Sequence, residues 1–217
     1  MKNVFKRLIV DFIEKEIKGI MSRNYDIPLE SKKIISLIGV RRSGKSSILF
    51  DIVKKLRHQI DRNNIIYINF EDDRLFPLEL KDLDLLLEAY YELYPHKIDE
   101  KIYLFLDEVQ VVKNWELYVR RIYDTLDIAI YITGSSAKLL FSEIATSLRG
   151  RNITYEIFPF SFKEYLMYKN IEINLHSTKS LSYIKNALEN YLVDGGFAET
   201  IDETKAYLEK YLVIIWN

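Results

Sequence analysis

Short apolar segments alternate with helix-like segments along the first two thirds of the chain. Near-continuous apolar runs, rich in Ile, Val and Tyr and bounded by charged residues, occupy 34–39, 65–70, 102–106, 128–133 and 153–158. Between them, apolar residues recur at helical spacing over 46–60, 83–94, 115–125 and 137–148. Such runs are typical of strands buried on both faces, and the alternation predicts a parallel sheet flanked by helices.

Helical spacing also marks both ends of the chain. Residues 4–20 predict an amphipathic helix, and strand signals vanish after residue 160, where helical patterns occupy 162–168, 181–193 and 206–216. We therefore predict an α/β core over 1–158 and a small helical subdomain over 159–217. The last pattern runs to Trp216 without a helix-stop signal, which is as consistent with a truncated subdomain as with a complete one.

Composition narrows the class of protein. The chain has 217 residues, 48% hydrophobic and 29% charged, and its net charge of −1 gives no global attraction to nucleic acid or a membrane. The absence of cysteine excludes disulfides, iron–sulfur clusters and thiol catalysis, and three widely spaced histidines disfavour a metal site built on His. No apolar run approaches the ~20 residues of a membrane span and residues 4–17 lack a signal-peptide core, so we expect a cytoplasmic protein.

One segment carries a phosphate-binding pattern. The octapeptide Gly39-Val40-Arg41-Arg42-Ser43-Gly44-Lys45-Ser46 fits G-x-x-x-x-G-K-[ST] and lies between a predicted strand and a predicted helix. Its glycines let backbone N–H groups point at phosphate oxygens, and the start of the helix adds its positive dipole end. Lys45 would place a cation on the β- and γ-phosphates, and the Ser46 hydroxyl would ligate Mg²⁺. The residues predicted to bind the nucleotide are Gly39, Arg41, Arg42, Ser43, Gly44, Lys45, Ser46 and Ser47.

Two readings of this segment stay open at the level of sequence. A glycine turn with a solvated lysine is the alternative to a phosphate-binding loop. Arg41 and Arg42 are unusual inside such a loop. The sequence does not decide whether they contact phosphate, a partner or DNA.

A pair of carboxylates follows the third predicted strand. Residues 102–108 read Ile-Tyr-Leu-Phe-Leu-Asp-Glu, which is the pattern of a Walker B strand. Asp107 would hold Mg²⁺, and Glu108 would polarise the attacking water. Many strands end in an acidic turn, so this assignment depends on the phosphate-binding pattern upstream.

The fourth predicted strand ends in a polar cluster, Thr133-Gly134-Ser135-Ser136. At this position a hydroxyl could contact the γ-phosphate or the attacking water, the sensor-1 role, for which we predict Ser135 with Thr133 as the alternative. Ser136 is equally consistent with an N-cap of the next helix.

Two arginines follow that helix, Arg149 and Arg151. A cation near this edge of the sheet would stabilise phosphoryl-transfer charge in the site of a neighbouring subunit. Two solvated arginines are the alternative.

These motifs together resemble the prokaryotic AAA+-type P-loop ATPases of the archaeal ATPase group, relatives of the origin-recognition and STAND-type ATPases. The resemblance runs from about residue 34 to residue 199 and is carried by 39–46, 106–110, 133–136, 147–151 and 158–166. It implies a parallel sheet in the order 5-1-4-3-2 followed by a helical lid, ATP and Mg²⁺ as ligands, and slow hydrolysis. It also implies DNA or a protein client as partner, and a homo-oligomer completed by an arginine finger.

One segment departs from the family pattern. Related proteins often have Gly-Gly-x-Pro-Glu in the lid, where this chain has Gly195-Gly196-Phe197-Ala198-Glu199. Ala198 in the proline position puts a lid contact with adenine in doubt, and we identify no lid arginine of the sensor-2 type.

The motifs favour an ATPase whose hydrolysis drives a conformational change. A GTPase is disfavoured because the chain has no Asn-Lys-x-Asp segment, and a helicase because that architecture needs two such cores. A small-molecule kinase is disfavoured because Glu108 beside the metal-binding Asp107 favours water as the acceptor. The remaining alternative is a nucleotide-gated binding module that holds ATP with negligible turnover.

Overall fold

The computed structural model describes residues 1–135 and 146–201. These residues form two compact units, the first made of Met1–Gly39 and Lys45–Glu156, the second of Val40–Gly44 and the chain from Ile157. Ser136, the predicted helix at 206–216 and most of the predicted helix at 137–148 lie outside the described residues. The division into 1–158 and 159–217 stays a prediction.

The first unit is built on a five-stranded parallel sheet. Its strands are β1 (Ile34–Ile38), β2 (Ile65–Asn69), β3 (Ile102–Asp107), β4 (Ile128–Gly134) and β5 (Asn152–Glu156). They lie in the order β2-β3-β4-β1-β5, and every neighbouring pair is parallel. This is the order 5-1-4-3-2 that the resemblance implies, so the predicted fold class is confirmed.

Burial along the strands follows their position in the sheet. Every residue of β1 and β3 is buried, in agreement with their continuous apolar runs. The expectation of burial on both faces is wrong for β5, where no residue is fully buried and Ile153 is 39% exposed. The physical reason is that β5 lies at an edge of the sheet, where among the described residues it pairs with β1 alone and has no packed helix of the kind that α1 provides for the other edge strand, β2.

The helices described in full in the first unit are α1 (Lys2–Glu14), α2 (Lys45–Leu56), α3 (Asp84–Leu93) and α4 (Trp115–Thr125). The first of them ends at Glu14 rather than at the predicted residue 20. The Arg57 guanidinium donates to the carbonyls of Phe12 at 2.7 Å and Lys15 at 2.6 Å, so a distant side chain satisfies acceptors that a helix end leaves open. Across 1–135 and 146–201, no helix is both long and apolar enough to cross a membrane.

The N-terminal helix α1 belongs to the core of the first unit. Its apolar face packs on α3 and on the edge strand β2, and it buries Phe5, Leu8, Ile9 and Phe12. Burial of a side chain of this size stabilises the fold by ~1.5–3 kcal/mol relative to exposure. The helix therefore protects an edge strand that would otherwise be open to unwanted pairing.

The second unit contains the helices α5 (Phe162–Tyr168) and α6 (Thr178–Asp194). A capping box starts the shorter helix, because the Ser161 hydroxyl accepts from the Glu164 N–H and the Glu164 carboxylate accepts from the Ser161 N–H. The longer helix ends at Gly195, whose φ of +76° is a conformation that favours glycine.

Gly196→Ala is expected to destabilise the second unit. A Cβ at this position would lie 2.3 Å from the carbonyl oxygen of Phe160, whose N–H donates to the Gly196 carbonyl at 2.6 Å. Because the obstacle is backbone, we expect a loss of ~1–3 kcal/mol. The control is Leu192→Ala on α6 of the same unit, where the side chain is exposed and the expected loss is below about 0.5 kcal/mol. Denaturation followed by circular dichroism compares the variants, and equal midpoints would contradict the prediction.

Candidate functional site

The connection from β1 to α2 has the backbone that a phosphate-binding loop requires. Gly39 and Gly44 have φ values of +154° and +93°, and Arg42 between them is left-handed at +64°. The helix α2 begins at Lys45, so the N–H groups of its first turn have no partner within the helix. Together with the positive end of the helix dipole, such N–H groups bind phosphate oxygens.

The Lys45 ammonium is buried beside the predicted catalytic carboxylates. The residue is 4% exposed, and its Nζ donates to the Gly39 carbonyl at 3.2 Å. The same Nζ lies 3.7 Å from Oε1 of Glu108. Burial lowers the pKa of Lys45, against the opposing effect of the negative charges of Glu108 and Asp107. A cation that is already desolvated interacts strongly with an incoming phosphate, because little further solvation is lost.

Asp107 is held from two sides at the carboxyl end of β3, where it is 1% exposed. The Thr133 hydroxyl at the end of β4 donates to Oδ1 of Asp107, and the Tyr67 hydroxyl on β2 donates to Oδ2 at 2.6 Å. The Thr133 hydroxyl also accepts from the Glu108 N–H at 2.9 Å. One side chain of β4 therefore contacts both Asp107, the predicted metal ligand, and Glu108, the predicted catalytic residue.

Glu108 has a strained backbone and a carboxylate that accepts a hydrogen bond from Gln110. Its φ of +56° is unusual for a residue with a side chain, and such outliers often occur at functional sites. Its Oε2 accepts from Nε2 of Gln110 at 2.6 Å, and the same Nε2 donates to Oγ of Ser135 at 3.1 Å. Gln110 thus links the residue predicted to polarise water with the residue predicted as the sensor. Its Oε1 is buried and has no partner among the described residues.

The structure brings Lys45, Asp107, Glu108 and Ser135 into one group of contacts, as the motifs predict. Two further members of this group have no role in the sequence prediction, Gln110 and Tyr67. Gln110 lies inside the 106–110 motif, so the sequence indicates that this position matters, but nothing in the sequence predicts its contacts. Tyr67 has no motif, and its only signal is that β2 lies next to β3 in the sheet order.

The tip of the loop, Val40–Gly44, groups with the second unit. There the Arg42 guanidinium forms an ion pair with Glu199, with Nη1 and Oε2 3.1 Å apart. Of the other residues predicted to bind nucleotide, Ser43 is buried, while Arg41 and Ser47 are exposed. Arg42 therefore has a contact that connects the loop tip to the Gly195–Glu199 segment.

Arg149 and Arg151 lie away from this group. The Arg151 carbonyl accepts from the Ile34 N–H at the start of β1, whereas the loop follows the other end of this strand, about 16 Å away for its five residues. The Arg151 guanidinium contacts Asp124 of α4 at 2.8 and 3.1 Å, which raises the pKa of Arg151. Arg149 is exposed in the same connection. The structure does not bring either arginine to the Lys45 side of its own chain.

The donor set fits a nucleotide that carries Mg²⁺. This ion prefers oxygen ligands and usually takes one or two protein groups, with phosphates and water completing the shell. The Ser46 hydroxyl in the first turn of α2 and the Asp107 carboxylate are groups of this kind. Within the described residues no cluster of three or more His, Cys, Asp or Glu side chains could hold a metal ion, so an ion here would depend on the nucleotide phosphates.

The parallel sheet in this strand order, with a glycine–lysine loop after β1 and an Asp-Glu pair at the end of β3, defines a P-loop NTPase of the AAA+ type. Residues 31–166, more than half of the chain, match the model of a family described as an AAA domain. The chain therefore belongs to the AAA domain family. This confirms the resemblance to AAA+-type P-loop ATPases and supports an ATPase-type nucleotide-binding function.

The chain is similar to longer proteins. One of Methanocaldococcus jannaschii, described as an uncharacterized protein, is 41% identical over 218 residues, covering 97% of this chain and 47% of the relative. One of Haemophilus influenzae, described in the same way, is 37% identical over 171 residues, covering 78% of this chain and 40% of the relative. The chain thus spans about half or less of the length of these relatives.

A solved structure agrees on the fold. The structure of C. elegans PCH-2 aligns with a TM-score of 0.54 at 14% identity, covering 95% of this chain and 60% of that chain. At this level of identity the likeness shows the fold alone.

Proposed function

We propose that the protein binds ATP with Mg²⁺ and hydrolyses it to ADP and phosphate, and that hydrolysis drives a conformational change. The observation that carries this proposal is the buried group formed by Lys45, Asp107 and Glu108, in which Thr133 contacts both acidic residues. A buried cation beside two ordered carboxylates, at the start of a helix that follows a glycine loop, matches what phosphoryl transfer to water requires.

Each residue of the group has a separate role in this proposal. The N–H groups of the loop and the Lys45 ammonium bind the β- and γ-phosphates. The Ser46 hydroxyl and the Asp107 carboxylate hold Mg²⁺, which when bound neutralises charge on the phosphate oxygens. Thr133 keeps Asp107 and Glu108 in their relative positions.

The reaction is an in-line displacement at the γ-phosphorus. The oxygen of a water molecule bonds to the γ-phosphorus. At the same time the bond between the γ-phosphorus and the β–γ bridging oxygen breaks, which yields ADP and inorganic phosphate. Glu108 orients the water and accepts its proton. Ser135, which is contacted by Gln110, is the proposed sensor of the γ-phosphate or of the water.

Arg149 and Arg151 are proposed to act on the site of a neighbouring subunit in a homo-oligomer. This is supported by the position of Arg151 at the amino end of β1, whereas Lys45 follows the carboxyl end of the same strand. At that distance these arginines do not reach the site of their own chain. Asp124 orients the Arg151 guanidinium at this edge. DNA and a protein client are the proposed partners of the conformational change, on the basis of the family resemblance; the net charge of −1 gives DNA no general electrostatic support.

One observation favours a second candidate function, a nucleotide-gated binding module with negligible turnover. The Glu108 carboxylate is already engaged, because Gln110 donates to one oxygen and the Lys45 ammonium lies near the other. If these contacts persist when ATP is bound, they leave the Glu108 carboxylate fewer acceptor positions for an attacking water. The chain would then hold ATP as a switch.

Phosphate release by the wild-type chain tests the proposed function. We expect release from ATP that requires Mg²⁺ and stops in EDTA, with GTP a much poorer substrate, and we would measure it with and without added DNA. Binding of ATP without release under every condition would overturn hydrolysis for this chain and favour the switch. Faster release in the presence of DNA would support DNA as the partner.

A further inference from the structure

Tyr67 connects the predicted metal-binding carboxylate to two helices. In the register of the sheet, Tyr67 pairs with Phe105 and Asn69 pairs with Asp107, so Tyr67 and Asp107 are diagonal neighbours on one face. The hydroxyl of Tyr67 donates to Oδ2 of Asp107 at 2.6 Å. A tyrosine hydroxyl has an ordinary pKa of about 10, so near neutral pH it keeps its proton and remains a donor.

The direction of this hydroxyl is set by aromatic packing. The Tyr67 ring stacks on Phe12 of α1 with ring centroids 4.5 Å apart, and it lies 5.0 Å from the ring of Phe50 on α2. The Arg57 guanidinium lies 4.9 Å from the Phe12 ring and also binds the end of α1. The phenol is therefore positioned by side chains that do not touch Asp107 themselves.

The second hydrogen bond changes what the Asp107 carboxylate can do. The χ2 torsion of an aspartate takes a broad range of values, so with a single donor such as Thr133 the carboxylate plane can still rotate. Donors on both oxygens fix this plane while leaving acceptor lone pairs on each oxygen. Hydrogen-bond donors to a metal-binding carboxylate orient it toward its ion, and their loss typically lowers metal affinity 10–100-fold.

We propose that Tyr67 is a positioning residue of the Mg²⁺ site, whose hydroxyl holds Asp107 in the orientation that binds the ion and whose ring is placed by Phe12 of α1. The inference rests on the proposed function, because it assigns Mg²⁺ to Asp107. It also gives α1 a connection to the site, although the helix contributes no ligand.

A purely structural role for the Tyr67 hydroxyl makes a different prediction. A buried hydroxyl that only satisfies a buried carboxylate contributes to stability, so its removal would lower the melting temperature and leave metal affinity unchanged. The test must therefore report metal binding separately from stability and from turnover.

The experiment compares Tyr67→Phe with Tyr131→Phe in the full chain. Tyr131 is a matched control because its ring is also stacked, on Phe105 at 4.6 Å, while its hydroxyl shares one hydrogen bond between the Pro28 and Leu29 carbonyls. We would titrate Mn²⁺ into the protein–ATP complex and follow free Mn²⁺ by electron paramagnetic resonance. ATP affinity in EDTA and the melting temperature would be measured for each variant.

Tyr67→Phe is expected to raise the Mn²⁺ concentration for half-saturation about tenfold, while ATP affinity in EDTA stays at the wild-type value. Tyr131→Phe is expected to leave both quantities unchanged. Phe12→Leu keeps the hydroxyl but removes the stack, and we expect a smaller shift in the same direction as Tyr67→Phe.

Equal half-saturation for wild type and Tyr67→Phe would overturn the inference while leaving the proposed function intact. A shift in Tyr67→Phe with none in Phe12→Leu would overturn the part assigned to α1. A wild-type chain that binds no nucleotide would overturn the proposed function and this inference with it.

Discussion

Lys45→Ala is expected to weaken ATP binding about 100-fold or more. The ammonium is buried next to Glu108 and Asp107, so its removal leaves two carboxylates near the nucleotide phosphates with no cation between them. Truncating one partner of a buried charge pair between two binding partners, here the pair of Lys45 with the nucleotide phosphates, typically costs ~2–5 kcal/mol of binding free energy, and each 1.4 kcal/mol is a factor of ten in affinity. Repulsion by the remaining carboxylates adds to the loss.

Titration with a fluorescent ATP analogue measures this effect. Lys54→Ala is the matched control, because Lys54 lies on the same helix α2 but is exposed near its C-terminal end. The control is expected to bind nucleotide like the wild type, and melting curves without nucleotide show whether each variant is folded. An affinity of Lys45→Ala within threefold of the wild type would refute the role of Lys45 in phosphate binding.

The extent to which this fold follows from the sequence differs between elements. The interior strands β1 and β3 are near-continuous apolar runs, and burial on both faces is the physical reason that such runs mark them in the sequence. Strand order does not follow from periodicity, and here it comes from the family resemblance. The end of α1 could not be predicted because its C-terminal carbonyls are bound by Arg57, which lies far along the chain.

The same distinction applies to the candidate site. Lys45, Asp107 and Glu108 are visible in the sequence because each stands in a contiguous motif next to a strand end. Tyr67 and Gln110 are not, because their contacts are made across strands and through a turn, where no local pattern is required. The Arg42–Glu199 ion pair joins residues at opposite ends of the family pattern. The sequence alone therefore could not identify which group Arg42 contacts.

Glu108→Gln is expected to abolish measurable ATP turnover while ATP binding stays within a few-fold of the wild type. The amide has nearly the shape of the carboxylate and its oxygen can still accept from Gln110, so the local structure is retained. It cannot accept a proton from water, and the loss of a general base typically lowers the rate ~10²–10⁴-fold. The neutral side chain also removes repulsion toward the γ-phosphate, which favours retained or tighter binding.

Single-turnover measurements with labelled ATP separate binding from chemistry in this variant. Glu88→Gln is the matched control, because it makes the same chemical change at an exposed site on α3, where Glu88 pairs with Lys2. If wild type and Glu108→Gln release phosphate at the same slow rate, Glu108 does not act on water and the switch is the better description. If turnover is present in the wild type and lost only in Glu108→Gln, Glu108 acts on water through acceptor positions that its contacts with Gln110 and Lys45 leave open, and hydrolysis is the better description.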